Sequence, residues 1–423
     1  MLVIFVIFLS MNQRPLSLVS LIILLLLPLG SSICIDMYLP AYSNIADYYN
    51  IPESYLNISM GIYLFGLAIG QLLYGPISDR FGRRKPLLAG SLLFFISSIF
   101  CCIAPNYITF LFFRLLQALG ACAAIVLSRA IIVDCYNRNQ QVRLLSLLSA
   151  INIVSPAIAP ILGGYMLIYF TWISIFIFIL IFSIAAFISS YLFIHETYDI
   201  SENIKNNINE KFHKKISIML KNIKFLLLDK NYMSFATGAA ILYGLAFVWV
   251  TLSPAIVINE FKISQVYFGY FFAMQCVGNT GGSLFAAYYS QEKYENILLK
   301  IGIGLLIFSA ILTGFLYEFK LLTISILSLN VISIYFAAGL AQPTLIAYAC
   351  RIFPKMRGLS AGLLGFLQTS FGAIVAILCS IFYDFSVTTM ILMLLIFSLS
   401  IFLIVKSLRI ECLGYNSSVY GVD

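Results

Sequence analysis

The sequence predicts an all-α membrane protein of twelve transmembrane helices arranged as two six-helix halves. Only 10% of its 423 residues are charged and 61% are hydrophobic, and the mean hydropathy is +1.00, a composition of membrane chains rather than soluble domains. Apolar windows of about 18 residues or more recur along the whole length, each able to cross a hydrocarbon core of roughly 30 Å as a helix. One long polar stretch, 196–230, separates six such windows from six.

Residues 1–16 form a short N-terminal segment. MLVIFVIFLS is apolar but too short to span, and Met11, followed by polar Asn12, Gln13 and Arg14, reads as the true start, the first ten residues being an extension of the start site. A cleaved signal peptide fits poorly, because no basic region precedes the apolar run. The N-terminal half, 17–195, holds spans 1 to 6 at 17–38, 55–77, 87–104, 108–133, 143–168 and 171–194. Within the connector, HKKISIMLKNIKFLLL (213–228) places Ile216, Met219, Leu220, Ile223, Leu226 and Leu227 on one helical face and Lys214, Lys215, Lys221 and Lys224 on the other. Such a helix can lie on an anionic leaflet; a solvated linker that frays is the alternative, favoured by Asn203, Asn206, Asn207 and Asn209 upstream. The C-terminal half, 231–406, holds spans 7 to 12 at 232–257, 266–290, 297–317, 321–350, 358–382 and 386–406, and 407–423 is a polar tail. Spans 4 and 10 are long enough to tilt.

Orientation follows from the basic residues. Twenty-two of the 25 fall on one side of the expected spans, only Lys262 and Lys320 on the other, and Arg114 inside span 4. Both termini and the connector are therefore expected in the cytoplasm, with the chain multi-pass in a bacterial inner membrane. The net charge of +8 reflects this topology and is no argument for nucleic acid as a partner. Nine cysteines, an odd number mostly inside spans, make no disulfide framework. The only histidines, His195 and His213, lie in the connector, so no span carries the imidazole for a metal site or a Ser-His dyad. No phosphate-cradling G-x-x-x-x-G-K-[ST] loop is present. The sequence therefore predicts no enzyme activity, no cofactor and no metal.

Five of the scarce charges crowd into GPISDRFGRRKP (75–86), between spans 2 and 3. Its pattern, carried by Gly75, Asp79, Arg80, Gly82, Arg83 and Arg84, resembles the loop signature of the major facilitator superfamily. RLLQALGACAAIVLSRAIIVD (114–134) resembles the span 4 pattern of that superfamily's drug–proton antiporters. PAIAPILGG (156–164), with Pro156, Pro160, Gly163 and Gly164, is similar to their span 5 motif, but departs from it at Ala159, where many members have glycine; that loosens the argument for close helix contact there. With IDMYLPA (35–41) and SPAIVINEFKISQVYFGYFF (253–272), the resemblance narrows to the Bcr/CflA drug-resistance branch and covers both halves. It implies the major facilitator fold, alternating access, and a monomer whose partners are a small-molecule substrate, protons and membrane lipid.

On that reading the charged loop looks like a conformational latch. Asp79 would sit at the N-terminus of span 11, near Leu359 and Ser360, where exposed amides favour an anion by roughly 0.3 to 1 kcal/mol, and Arg83 would reach Asp134 at the end of span 4. A loop that merely enforces topology is the alternative, but it leaves Asp79, Gly75 and Gly82 without a reason.

Asp36 and Arg114 are the ionisable residues placed well inside the expected spans, each costing about 2.5 to 3.5 kcal/mol at mid-depth. Their depths agree to within about a helical turn, and in the resembled fold spans 1 and 4 both line the central cavity, so the two can meet. Three readings stand: a static ion pair, a substrate site using one charge, and a proton switch in which protonated Asp36 releases Arg114. Around them Gln117, Asn152, Tyr243, Trp249, Gln275, Asn279, Gln342 and Gln368 are candidates for an uncharged polar and aromatic substrate cavity, with interhelical hydrogen bonding as the plainer role for any one of them. The expected function is proton-coupled export of drugs or other small amphipathic solutes; a proton-coupled importer, or a siderophore or metabolite transporter of the same fold, is the alternative.

Overall fold

The computed structural model describes residues 16–197, 212–289, 292–353, 356–382 and 386–407; the start-site reading of residues 1–15 and the tail beyond 407 lie outside these. Every described regular element is helical. Eleven of the helices are long and apolar enough to cross a membrane. The remaining one of the twelve expected, Gln265–Tyr288, is a 24-residue helix that falls short in hydropathy because Gln265, Gln275, Asn279, Thr280 and Ser283 interrupt it.

Span 1 runs Leu18–Tyr49, further than its apolar window, and is broken. Pro28 and Pro40, which cannot donate to the helical ladder, divide it into Leu18–Leu26, Leu29–Asp36, a 3₁₀ turn Leu39–Ala41 and Tyr42–Tyr49. Span 2, Tyr55–Phe81, continues through Pro76, so Asp79 and Arg80 stand on a helix and the turn into span 3, Arg84–Cys102, is only Gly82 and Arg83. Spans 4, 5 and 6 are Tyr107–Cys135, Arg138–Tyr169 and Ile173–Phe193. Asn106 caps span 4 by accepting from Thr109 N–H, and Asn137 with Gln140 forms a reciprocal capping box on span 5, satisfying donors that the first turn leaves open.

The connector contains a helix, Phe212–Leu228. Asp229, in extended conformation, then caps span 7, Lys230–Ser253, through Tyr232 N–H. Span 7 goes on as a wider π turn at Pro254–Glu260. Spans 8 to 12 are Gln265–Tyr288, Glu292–Glu318, Ile324–Ile352, Arg357–Ile381 and Ser386–Ser407.

The two halves meet along span 2 against span 11 and span 5 against span 8. At the end carrying the span 1–2 turn the seam is sealed: Asn259 donates to Glu53 at 2.8 Å, Gln265 to Asn44 at 2.9 Å, and Ser380 to the carbonyl of Ser54 at 2.7 Å. Towards the opposite end, a Cβ added at Gly75 in span 2, or at Gly358 or Gly362 in span 11, would meet nothing within 4 Å.

Candidate functional site

Arg114 is fully buried, on a face of span 4 turned towards spans 1, 2 and 6. Its guanidinium donates to the carbonyl of Cys34 at 2.9 Å and to Gln117 Oε1 at 2.8 Å. Cys34 belongs to the last turn of Leu29–Asp36, where Met37 N–H takes the carbonyl of Ile33 and the guanidinium takes that of Cys34, so the cation caps the negative end of that helix. The rings of Tyr63, Tyr38 and Phe176 lie 4.3, 4.6 and 5.9 Å from the guanidinium carbon. Cation–π attraction of about 2 kcal/mol or more in a desolvated site replaces hydration. Gln117 passes the chain on, donating to Ser98 Oγ at 3.0 Å, and braces Arg114 here.

Asp36 is 4% exposed, yet neither a hydrogen bond nor an ion pair joins it to Arg114 or to any other described residue. Tyr243 of span 7, Cys276 of span 8 and Tyr335 of span 10, all in the second half, lie within electrostatic reach of its carboxyl. The structure therefore brings Arg114 and Asp36 to neighbouring turns of the same region but gives them different surroundings, one an aromatic box in the first half, the other the seam between halves.

The remaining cavity candidates scatter by role. Tyr243 is half-buried beside Asp36, its ring 5.0 Å from that of Phe247. Trp249 is 5% exposed with its indole N–H unpaired, and with Tyr335 and Met390 it borders a small gap of about 10 Å³. Gln275 is buried, while Asn279 accepts from Ser283 and Asn152 bonds the carbonyl of Leu148 on its own helix. Gln342 and Gln368 are half-buried, and the Gln368 amide nitrogen has no partner.

At the end opposite the seal, Arg83 Nε donates to Asp134 at 2.7 Å, and its Nη1 to Asp79 at 2.6 Å and to Ser78 at 2.7 Å. Desolvation pulls the Arg83 pKa down, but its hydrogen bonds to Asp134 and Asp79, with their charges, outweigh that and hold it above the ordinary arginine value, so the guanidinium stays charged. Asp79 is thus engaged with Arg83 one helical turn away, rather than with Leu359 or Ser360 of span 11, and these contacts lie within the first half. Arg80 stacks its guanidinium 5.0 Å from Phe81, and Arg84 donates to the carbonyl of Tyr191 at 2.9 Å.

Glu196 was not singled out by the sequence. Just beyond span 6, its carboxylate accepts the N–H groups of Arg83 at 2.8 Å and Arg84 at 3.2 Å, closing the N-terminus of span 3 with an anion where the dipole favours one. An acidic residue at the end of span 6, on the side of the basic turn, was the available signal. Gly82 makes the contact possible. Its φ of 84° and ψ of 173° fall in a region that is essentially glycine-only, and an added Cβ would stand 2.6 Å from the Glu196 carboxyl carbon. Gly82→Ala is therefore expected to cost on the order of 1–3 kcal/mol and to lower folded yield and transport together, as measured by detergent thermal stability; removing the collision with Glu196→Ala as well should not restore it, since the backbone strain remains.

Span 5 shows why its glycines matter despite Ala159. A Cβ on Gly163 would strike the carbonyl oxygen of Met37, the residue after Asp36, and one on Gly164 would lie 2.5 Å from the carbonyl oxygen of Gln265. Pro156 and Pro160 are carried inside the continuous helix.

The profile of the Major Facilitator Superfamily matches residues 21–377. The chain is 31% identical over 356 residues to an uncharacterized MFS-type transporter, YdgK, of Bacillus subtilis, covering 82% of this chain and 85% of that one. It is 25% identical over 371 residues to a bicyclomycin resistance protein homolog of Haemophilus influenzae, covering 86% and 89%, and 34% identical over 220 residues to the multidrug resistance protein MdtL of Shigella flexneri, covering 50% and 55%. In structure it is similar to a D-xylose-proton symporter, with a TM-score of 0.67 at 18% identity over 91% of this chain and 96% of that one. It is also similar to a bacterial homolog of the lysosomal transporter Spinster in an inward-facing, occupied conformation, with a TM-score of 0.68 at 14% identity over 94% and 98%.

Proposed function

We propose that this chain, which belongs to the Major Facilitator Superfamily and is a multi-pass transporter, exports amphipathic small molecules from a bacterial cytoplasm in exchange for protons, by alternating access. The observation that carries the reading is the state of Asp36. Held as an anion, a buried carboxyl with neither donor nor cation is very costly; held as an acid it costs far less. Arg114 meanwhile is neutralised by a carbonyl, an amide and three rings, so its charge stays supported while Asp36 changes state. This supports the switch in which protonated Asp36 and Arg114 stand apart, over a static pair.

With both termini and the connector in the cytoplasm of an inner-membrane protein, the sealed end faces outwards and the end carrying the Arg83 cluster inwards. A proton brought in on Asp36 would leave towards the cytoplasm as substrate binds near Tyr243 and Trp249. The Asp79–Arg83–Asp134 cluster would hold spans 2 and 4 together while the halves rock, Asp79 exchanging Arg83 for the start of span 11 when the inner end closes. Resistance named for two of its relatives favours drugs as substrates.

Everted vesicles test the direction: energised by respiration, they should accumulate a compound identified by a susceptibility panel in an efflux-deficient host. Accumulation by right-side-out vesicles instead would establish the importer reading, and no counterflow between labelled and unlabelled compound would exclude a carrier altogether.

Charge limits what one proton can drive. Inward movement of one charge releases about 2.3 kcal/mol per 100 mV, enough for roughly a fortyfold to fiftyfold gradient of a neutral solute. For a monovalent cation the potential cancels, leaving only the pH gradient, and a dication is pulled inwards. Neutral, zwitterionic or monocationic compounds are expected to be exported and dications not. Potential-driven efflux of a dication without a pH gradient would require a second proton site.

A further inference from the structure

We propose that the connector helix Phe212–Leu228 docks on the anionic phosphodiester headgroups of the membrane surface beside it, through a flank made by Leu220, Lys221, Lys224, Leu227 and Leu228. Its position puts it there. Only Asp229 separates it from span 7, and that residue is extended, with ψ of 116°, so the helix cannot continue along the span's axis and turns across the ends of the bundle. Its inner face is occupied: Leu226 is fully buried, and the Phe225 ring meets Phe353, just past span 10, edge-on at 5.5 Å. The helix packs on spans 7 and 11.

Among the described residues, none covers the opposite flank. Leu220 is 57% exposed, Leu227 42% and Leu228 74%, and Lys221 and Lys224 are exposed beside them. Leu220 and Leu227, seven residues apart, share one edge of the helix, and Lys221, Lys224 and Leu228 share the next. An apolar edge with lysines on its border fits acyl chains below and phosphates above. The turn at Asp229 keeps the leucine edge next to the start of span 7 at Lys230, where an apolar edge bordered by lysines suits a lipid surface. The proposed topology decides only which leaflet is involved.

The test uses the full-length protein carrying Leu227→Trp in nanodiscs containing brominated phosphatidylglycerol or brominated phosphatidylcholine, measured against the same protein without that tryptophan. Brominated phosphatidylglycerol is expected to quench the added tryptophan preferentially, each lysine enriching anionic over zwitterionic lipid by about fivefold, the equivalent of about 1 kcal/mol. Lys221→Gln with Lys224→Gln should abolish the preference, and Lys221→Arg with Lys224→Arg should retain it and show that the helix still folds with altered side chains. Equal quenching by both lipids, no quenching, or a preference that survives the glutamine pair would overturn the proposal. Displacement by millimolar inorganic phosphate would overturn it too, by showing a free-anion site. Nanodiscs expose both faces, so failure here is distinct from failure of the assigned orientation, which one-sided labelling of intact cells reports.

Discussion

Asp36→Asn is expected to abolish proton-driven accumulation in everted vesicles, a loss of at least about tenfold, while equilibrium binding of the same compound changes by no more than about twofold. The carboxamide keeps the volume of the side chain among Tyr243, Cys276 and Tyr335 and cannot titrate. Because the Asp36 side chain makes no hydrogen bond with any described residue, the substitution breaks no described side-chain contact, and a lost function would not be a lost fold. Counterflow, which needs substrate exchange but no net proton movement, should persist. Full proton-driven transport by the variant would remove Asp36 from the mechanism.

The second large effect is expected at Gly164→Val, where span 5 crosses span 8. The new Cβ would lie 2.5 Å from the Gln265 carbonyl oxygen and 3.1 Å from Val266 Cα. Both are backbone, so no side chain can swing aside and the spans must separate. Overpacking of this kind costs typically 1–3 kcal/mol, about a fivefold to more than hundredfold shift away from the sealed end. Within the same crossing, Tyr165 and Tyr270 join their hydroxyls at 3.0 Å and Gln265 bonds Asn44, so those contacts should weaken with it. A cysteine placed at Ser380, whose hydroxyl bonds Ser54 across the seam, should become reactive to an impermeant thiol reagent from outside. Unchanged labelling with normal transport would show that this glycine contact does not set the conformation.

Much of this was legible in the sequence because membrane insertion writes itself in composition. Long apolar windows and the one polar break at 196–230 located the spans, and the sparsity of charge drew attention to Asp36, Arg114 and the 75–86 stretch. Span 8 was expected at 266–290 like the others, and its lower hydropathy reflects polar residues such as Gln275, which is buried in protein. Pairing was less legible. Equal depth made Asp36 and Arg114 neighbours, but depth says nothing of azimuth: Arg114 turns to Tyr38, Tyr63 and the carbonyl of Cys34, and Asp36 lies within electrostatic reach of the other half. That the Cys34 carbonyl takes the Arg114 guanidinium depends on where the broken span 1 places it, which no residue spacing states. Glu196 was hidden for a similar reason, because its partners are backbone N–H groups more than a hundred residues away and carry no side-chain signature. The glycines of span 5 were recognisable as a motif, whereas the atoms they approach, the carbonyls of Met37 and Gln265, appear only with the chain folded.

Proton release on substrate binding tests the central claim most directly. Purified protein in weakly buffered detergent, mixed with a compound it exports, should release about one proton per molecule bound, as linkage between the two ligands requires, and the Asp36→Asn protein should bind the same compound and release none. Binding to the wild type without proton release, or equal release from the variant, would contradict proton-coupled exchange through Asp36.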